Sequence, residues 1–186
     1  MQTVRKKVHF TYQDYLHIQG DKHHEIIDGD IHMTPSPASK HQKIVTALTV
    51  LLANWVNEKK IGEVIVSPMD VVLSEEDVVQ PDILFIGKER LEILTETHVR
   101  GAPDLVVEVL SKSSIEWDRQ VKRKLYDACG VREYWIVDPD AHSVEVLSRQ
   151  SNSLLMTRTF TGDDHLCSSL LPGFSMNVSK LFGILR

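Results

Sequence analysis

The sequence predicts an α/β chain built on a central mixed β-sheet flanked by helices. Three observations point there. Short, β-branched apolar runs such as "VVQPDILFIG", "APDLVVEVL" and "VREYWIVDP" read as strands, the last two buried on both faces. Two longer stretches, from about Ser39 and from about Ser114, repeat apolar residues at three-to-four spacing. Their order, a helix, a sheet core, then a helix crossing to one more strand, belongs to a sheet with helices packed on it.

The elements follow in turn. Thr11 can cap a short helix, "YQDYLHI", that ends at Gly20. "HHEIIDGDIHM" reads as two short strands around the turn residues Asp28 and Gly29. The prolines of "TPSPAS" mark a loop. The first long helix carries Ile44, Leu48, Leu51, Leu52, Trp55 and Val56 on its apolar side, and Gly62 follows its last turn. "EVIVSPMDVVLS" and "VVQPDILFIG" read as neighbouring strands joined by the acidic turn "EEDV". The second long helix, "SIEWDRQVKRKLYDACG", buries Trp117, Val121, Leu125 and Cys129 and stops at Gly130. "HSVEVLSR" and "SLLMTRTFTG" form a hairpin of edge strands, and the tail "LPGFSMNVSKLF" packs back on the rest.

At 186 residues the chain is expected to form one domain, 1–186, with a sizeable core. A net charge of −5 argues against nucleic acid as a partner unless a local basic groove supplies the charge. Only "VRKKVHF" and "DRQVKRK" are basic clusters, and each also fits an ordinary solvated face. Cys129 and Cys167 have no motif spacing, which suggests a reducing compartment. No signal peptide or stretch long enough to cross a bilayer is legible, so the expected location is cytoplasmic, without a membrane partner.

The chemistry is sought where acids interrupt apolar strands. Glu108 breaks the run at residues 105–110, and Asp82 breaks "VVQPDILFI" just after Pro81. A charged carboxylate buried there costs several kcal/mol unless something positive meets it. Pro81 places Asp82 near a strand end, so with adjacent strands the two acids converge. Two carboxylates at one point repel, and a divalent cation removes the conflict. Taken singly, each acid fits an edge position or an Arg or Lys partner equally well. Asp104, another "PD" aspartate, is explained by solvation or a turn bond, although it shares a strand face with Glu108.

Asp118, Lys122 and Tyr126 stand at i, i+4 and i+8 and border the apolar stripe of the second helix. The stripe sets Lys122 where the helix meets the sheet, although spacing alone favours a surface Asp118–Lys122 ion pair, and Tyr126 either lines the site or is the more ordinary core tyrosine with its hydroxyl at the surface. Nine histidines invite a zinc reading, but no H-E-x-x-H or paired C-x-x-C supports it, and adjacent His23 and His24 point to opposite faces of a strand. His41 either approaches the cleft, where it could contact phosphate, or takes the more ordinary surface or capping role. "SKSS" lacks a nucleophile-elbow pattern and reads as a loop and helix cap.

"QPDILFI", "APDLVVEVLSKSS" and "DRQVKRKLYDACGVREYWIVDP", preceded by "HEIIDGDIHMTPSP" and His41 and followed by "LPGFSMNV", together resemble the Uma-two family of endonucleases. That family lies within the PD-(D/E)XK, restriction-endonuclease-like superfamily. The resemblance implies a restriction-endonuclease-like fold and hydrolysis of phosphodiester bonds in nucleic acid, with DNA the expected substrate. It implies that Asp82 and Glu108 bind Mg2+ or Mn2+ with the backbone carbonyl of Val109. Leu110 stands where the superfamily's lysine is expected, and the family pattern moves that role to Lys122. Glu25 matches the family's N-terminal glutamate and completes the site. A homodimer is compatible with such a nuclease, though no oligomerisation motif is legible. The rival reading is a nuclease fold serving as a binding or mobile-element accessory module with little catalysis.

Overall fold

The computed structural model describes residues 8–18, 24–33 and 36–185. The basic cluster before His9, His23, Gly20 and the first residues of "TPSPAS" lie outside that set, wholly or in part.

Thr11 opens helix α1 (Tyr12–Tyr15) through a capping box, its hydroxyl and the Asp14 carboxylate each serving the other's backbone N–H. Strands β1 (His24–Ile27) and β2 (Asp30–Met33) form the expected hairpin. Both turn residues, Asp28 and Gly29, have positive φ (52° and 70°), as the tight turn demands. Helix α2 runs Ser39–Lys59 and buries Ile44, Leu48, Leu52 and Val56, while Leu51, expected on that face, is exposed. Lys60 ends it in the left-handed conformation, φ 54°.

The next two predicted strands are each divided. "EVIVSPMDVVLS" becomes β3 (Gly62–Val66) and β4 (Asp70–Ser74), and "VVQPDILFIG" becomes β5 (Asp77–Val79) and β6 (Ile83–Gly87). Pro68 and Pro81 sit at the breaks, where a residue without an N–H cannot continue a ladder. The halves go to different sheets. A 3-10 helix (Lys88–Ile93) and β7 (His98–Arg100) precede β8 (Leu105–Val109). Helix α3 follows, π-helical over Trp117–Lys122 and α-helical over Arg123–Cys129, and Gly130 caps it with φ 88°. Then come β9 (Glu133–Asp138), β10 (Ser143–Gln150), β11 (Ser153–Thr161), β12 (His165–Leu166), β13 (Met176–Asn177) and helix α4 (Val178–Gly183).

A six-stranded mixed sheet has the order β11-β10-β9-β8-β6-β3, with β8 and β9 parallel and every other pair antiparallel. Only β11 of the last hairpin is at an edge, since β10 is covered on both sides. The five-stranded sheet, β2-β1-β5-β4-β7, is joined to it at the two proline breaks. Leu105, Val107 and Val109 point into the core under α2 and α4, with Trp135, Val137 and Phe174. Val106, Leu110 and Ile136 point the other way, toward α3 and the second sheet, with Tyr126, Tyr134 and Val71. Glu108 has the parity of Val106 and so faces α3. Mixed α/β architecture with helices on the sheet is therefore as the sequence predicts, with the five-stranded sheet and an antiparallel β12-β13 pair added.

Candidate active site

Strands β6 and β8 pair antiparallel, with Ile83 opposite Val107. One residue further along that register brings Asp82 opposite Glu108. The two acids do converge at one end of the sheet, and Asp82 closes the ladder with its side chain: the Val109 N–H donates to Asp82 Oδ2 at 2.7 Å. The same oxygen lies 3.0 Å from His41 Nε2, so His41 reaches the cleft rather than the surface. The other imidazole nitrogen, Nδ1, is buried without a hydrogen-bond partner among the described residues. Burial opposes a charge on His41, but the Asp82 carboxylate outweighs it and raises the imidazole pKa.

Behind Asp82 lies a buried ionic cluster. Lys122 Nζ is 2.9 Å from Glu108 Oε1, 2.9 Å from Glu25 Oε1 and 3.8 Å from Asp118 Oδ1. The Tyr126 hydroxyl donates to Glu108 Oε1 at 2.7 Å, and the Gln80 N–H donates to Glu25 Oε1 at 2.9 Å. Glu25 comes from the second sheet, Glu108 from the first, and the other three from α3. Glu25, Glu108, Asp118 and Lys122 are each 4% exposed or less, whereas the Asp82 side chain is 19% exposed. Asp82 and His41 therefore form the mouth of the site and Lys122 its floor.

The geometry of α3 corrects two expectations. The row Asp118, Lys122, Tyr126 is its most buried line, and Trp117, Val121 and Leu125 are only half-buried beside it. The Asp118–Lys122 pair is consequently an interior contact, not a surface one. Tyr126 is wholly buried, its hydroxyl included in the site. A π-helical turn takes more residues than an α-turn, and such stretches gather at functional sites. Here the π segment ends at Lys122 and delivers the ammonium to the sheet.

Three carboxylates (Glu25, Glu108, Asp118) face one ammonium, and a fourth, Asp82, stands beside them against His41. Burial would discharge Lys122, but the carboxylates hold its pKa well above the ordinary lysine value, so it stays charged. Burial raises Glu108 well above the usual carboxylate range against the pull of Lys122, and Asp118, Asp82 and Glu25 push in the same direction. Asp118 is pushed up to about 6, chiefly by burial, with Glu25 and Asp82 adding to it and Lys122 opposing. Fully ionised, the cluster would carry more negative charge than its own cations balance.

That surplus is the basis for testing a divalent cation. The available donors are hard oxygens: the Asp82 and Glu108 carboxylates and the Val109 carbonyl. Among the described residues no three His, Cys, Asp or Glu side chains form a ready-made cage. Two carboxylates and a carbonyl, completed by water and substrate phosphate, are nevertheless a donor set that Mg2+ and Mn2+ accept. The residues fit the ion, whose charge would offset both the burial and the neighbouring acids that raise Glu108.

Asp104, the other "PD" aspartate, is neither solvated nor in a turn. It is 1% exposed and accepts from the Gly87 N–H (2.8 Å), Arg90 Nη1 (2.9 Å) and Arg132 Nη1 (3.1 Å). These partners outweigh its burial and lower its pKa. It fastens elements together away from the cleft. Of the residues expected at the site, Asp82, Glu108, Lys122 and Glu25 are brought together, and Val109 joins through its backbone. Asp118 is the addition, and His41 and Tyr126, for which the sequence left a site role open, join it. His24 opens β1, separate from His41, and Ser111–Ser114 close a turn ahead of α3 in which the Ser111 N–H donates to Ser114 Oγ at 3.0 Å. No helix among the described residues is long and apolar enough to cross a membrane.

A search of curated proteins finds no match to this chain. Among solved structures, one described as "a putative nuclease belonging to DUF820" from Anabaena variabilis ATCC 29413 superposes with a TM-score of 0.80 at 20% identity, covering 95% of this chain and 99% of that one. At that identity the likeness establishes the fold. The sequence itself matches the Uma2 family, described as "Putative restriction endonuclease", over residues 11–179. A match of that extent, on a nuclease-like fold, means that the chain belongs to the Uma2 family.

Proposed function

We propose that this protein is a metal-dependent endonuclease that hydrolyses phosphodiester bonds of nucleic acid, with DNA as its substrate. The observation that carries the proposal is the buried surplus of carboxylates at the ends of β6 and β8, with Asp82 at its open side. Stability does not ask for three acids around one buried ammonium with a fourth beside them, since apolar residues of similar volume often stabilise an interior as well or better.

In this reading Asp82, Glu108 and the Val109 carbonyl hold Mg2+ or Mn2+. The ion supplies Lewis-acid polarisation of the phosphate and a more acidic water. Lys122 keeps its proton throughout, orients Glu108 and Glu25, and opposes the negative charge that grows on the phosphate as water adds. Glu25 completes the ligand sphere from the second sheet. Tyr126 positions Glu108 through its hydroxyl, and Val109 positions Asp82 through its N–H. His41, held against Asp82 at the mouth, faces the incoming phosphate.

Calorimetric titration of Mn2+ into the wild type and Glu108→Gln, with plasmid cleavage followed in parallel, tests this. Gln keeps the volume beside Lys122, which Ala would not. The expected result is cation binding and nicking by the wild type, with both lost in the variant. Equal Mn2+ affinity in the two proteins, or cleavage that persists in Glu108→Gln, would overturn the assignment.

A further inference from the structure

The chain has a net charge of −5, so a nuclease built on it needs a local surface for a polyanion. Such a surface lies beside the carboxyl ends of the parallel strands β8 and β9, the same end of the sheet as Glu108 and Val109. A cavity of about 490 Å³ is lined there by Lys40 and Lys43 from the start of α2, His142 from the β9–β10 turn, and Phe182 from α4. Lys112, in the turn that follows β8, lies near enough to help lower the pKa of Asp140, after the hydrogen bond and charge of Lys40.

The charges are unequal. Asp140 pairs with Lys40 at 2.6 Å, and Asp163 accepts the hydroxyl of Ser179 on the rim at 2.8 Å. Lys43 is exposed and has no carboxylate partner among the described residues. Cations alone would suit any anion. The cavity also holds an aromatic ring braced for stacking: the exposed His142 imidazole lies against buried Phe182, centroids 5.2 Å apart and planes within 15°. Lysines for phosphate next to a supported ring for a base are what single-stranded or locally opened nucleic acid requires.

We infer that this cavity is a nucleic-acid subsite beside the active site: Lys40 and Lys43 hold the backbone phosphates that flank the scissile bond, and His142, backed by Phe182, stacks on a base. The inference rests on the nuclease reading and adds where the strand runs. His41 at the mouth and Lys40 and Lys43 on the rim belong to the same first turns of α2, so a strand leaving Asp82 meets the cavity next.

The test uses the full chain and a fluorescent 12-nucleotide single strand, with Ca2+ replacing Mg2+ or Mn2+ to prevent cleavage. Anisotropy is followed against salt for the wild type, Lys40→Glu/Lys43→Glu, and Lys59→Glu/Lys60→Glu at the far end of α2. The expected outcome is affinity about ten-fold weaker or worse, and a salt slope lower by about two, in the first variant only. His142→Ala should weaken binding about ten-fold at high salt, where stacking dominates. Amide shifts in NMR separate the two readings. Shifts at residues 39–43 and 142 support the subsite. Shifts confined to Asp82 and Glu108, with equal loss in both lysine variants, overturn it and leave the nuclease reading standing. No binding by any protein overturns both.

Discussion

Lys122 is a buried ammonium facing three carboxylates, and its removal should be felt more than that of any other single side chain in the site. Lys122→Met leaves Glu25, Glu108 and Asp118 without a cation, a change expected to cost about 3–5 kcal/mol in denaturant unfolding. The loss should shrink in acid. Asp118 has a folded pKa of about 6, above the unfolded value of about 3.9, so the folded state binds more protons between them and gains stability as pH falls across that interval. A variant equally weak at pH 5 and pH 8 would contradict the charge account. At this scale Asp82 and Glu108 are legible because an acid inside an apolar run demands a partner. The rule is not specific, however. Asp104 and Glu133 break the same rule for structural reasons, Glu133 by accepting from the Trp135 indole and the Ser169 hydroxyl. For Tyr126 and His41 the local signal leaves two roles open, because a tyrosine on a helix and a histidine near a helix start are ordinary until their partners are known.

Among the elements, the proline-divided strands decide how the site is assembled. Each apolar run was legible as extended chain, but its exchange of sheets was not, because β-branched composition does not say which neighbour a strand takes. The pairing of β3 with β6 depends on Gly62, whose φ is 156° and whose added Cβ would lie 2.1 Å from the Ile86 carbonyl oxygen. Gly62→Ala should cost about 2 kcal/mol or more, read as a lower urea midpoint with an unchanged m-value. A midpoint equal to wild type would show that the strand end gives way freely. In α3 the i, i+4, i+8 row was visible in the sequence. Its depth was not, since apolar Trp117, Val121 and Leu125 suggested the neighbouring line as the buried one.

For the molecule as a whole, Asp104 ties the end of β6, the 3-10 helix and the approach to β9 through Gly87, Arg90 and Arg132. Asp104→Asn should destabilise by about 3 kcal/mol at neutral pH. The sign of its pH dependence is opposite to that of Asp118. Its folded pKa is lowered, so its stabilisation is present above the unfolded value of about 3.9 and disappears as pH falls through the lower folded value. Thermal melts of the two proteins should therefore converge below about pH 4, and a gap that stays constant into that range would refute the charge-based clamp. The global charge of −5 sums over the surface and does not report that Lys40 and Lys43 line one cavity at the start of α2.

Periodicity, prolines and short motifs made the long helices, the apolar strand runs, the family and the acids that break those runs legible. Only the tertiary structure decided that Glu25 from one sheet meets Lys122 from a helix behind another, that Asp118 and Tyr126 are interior, and that His41 faces Asp82. Local pattern reports which face a residue occupies on its own element. Its pKa, its partners and its chemistry depend on what the other elements bring to within hydrogen-bond distance of it.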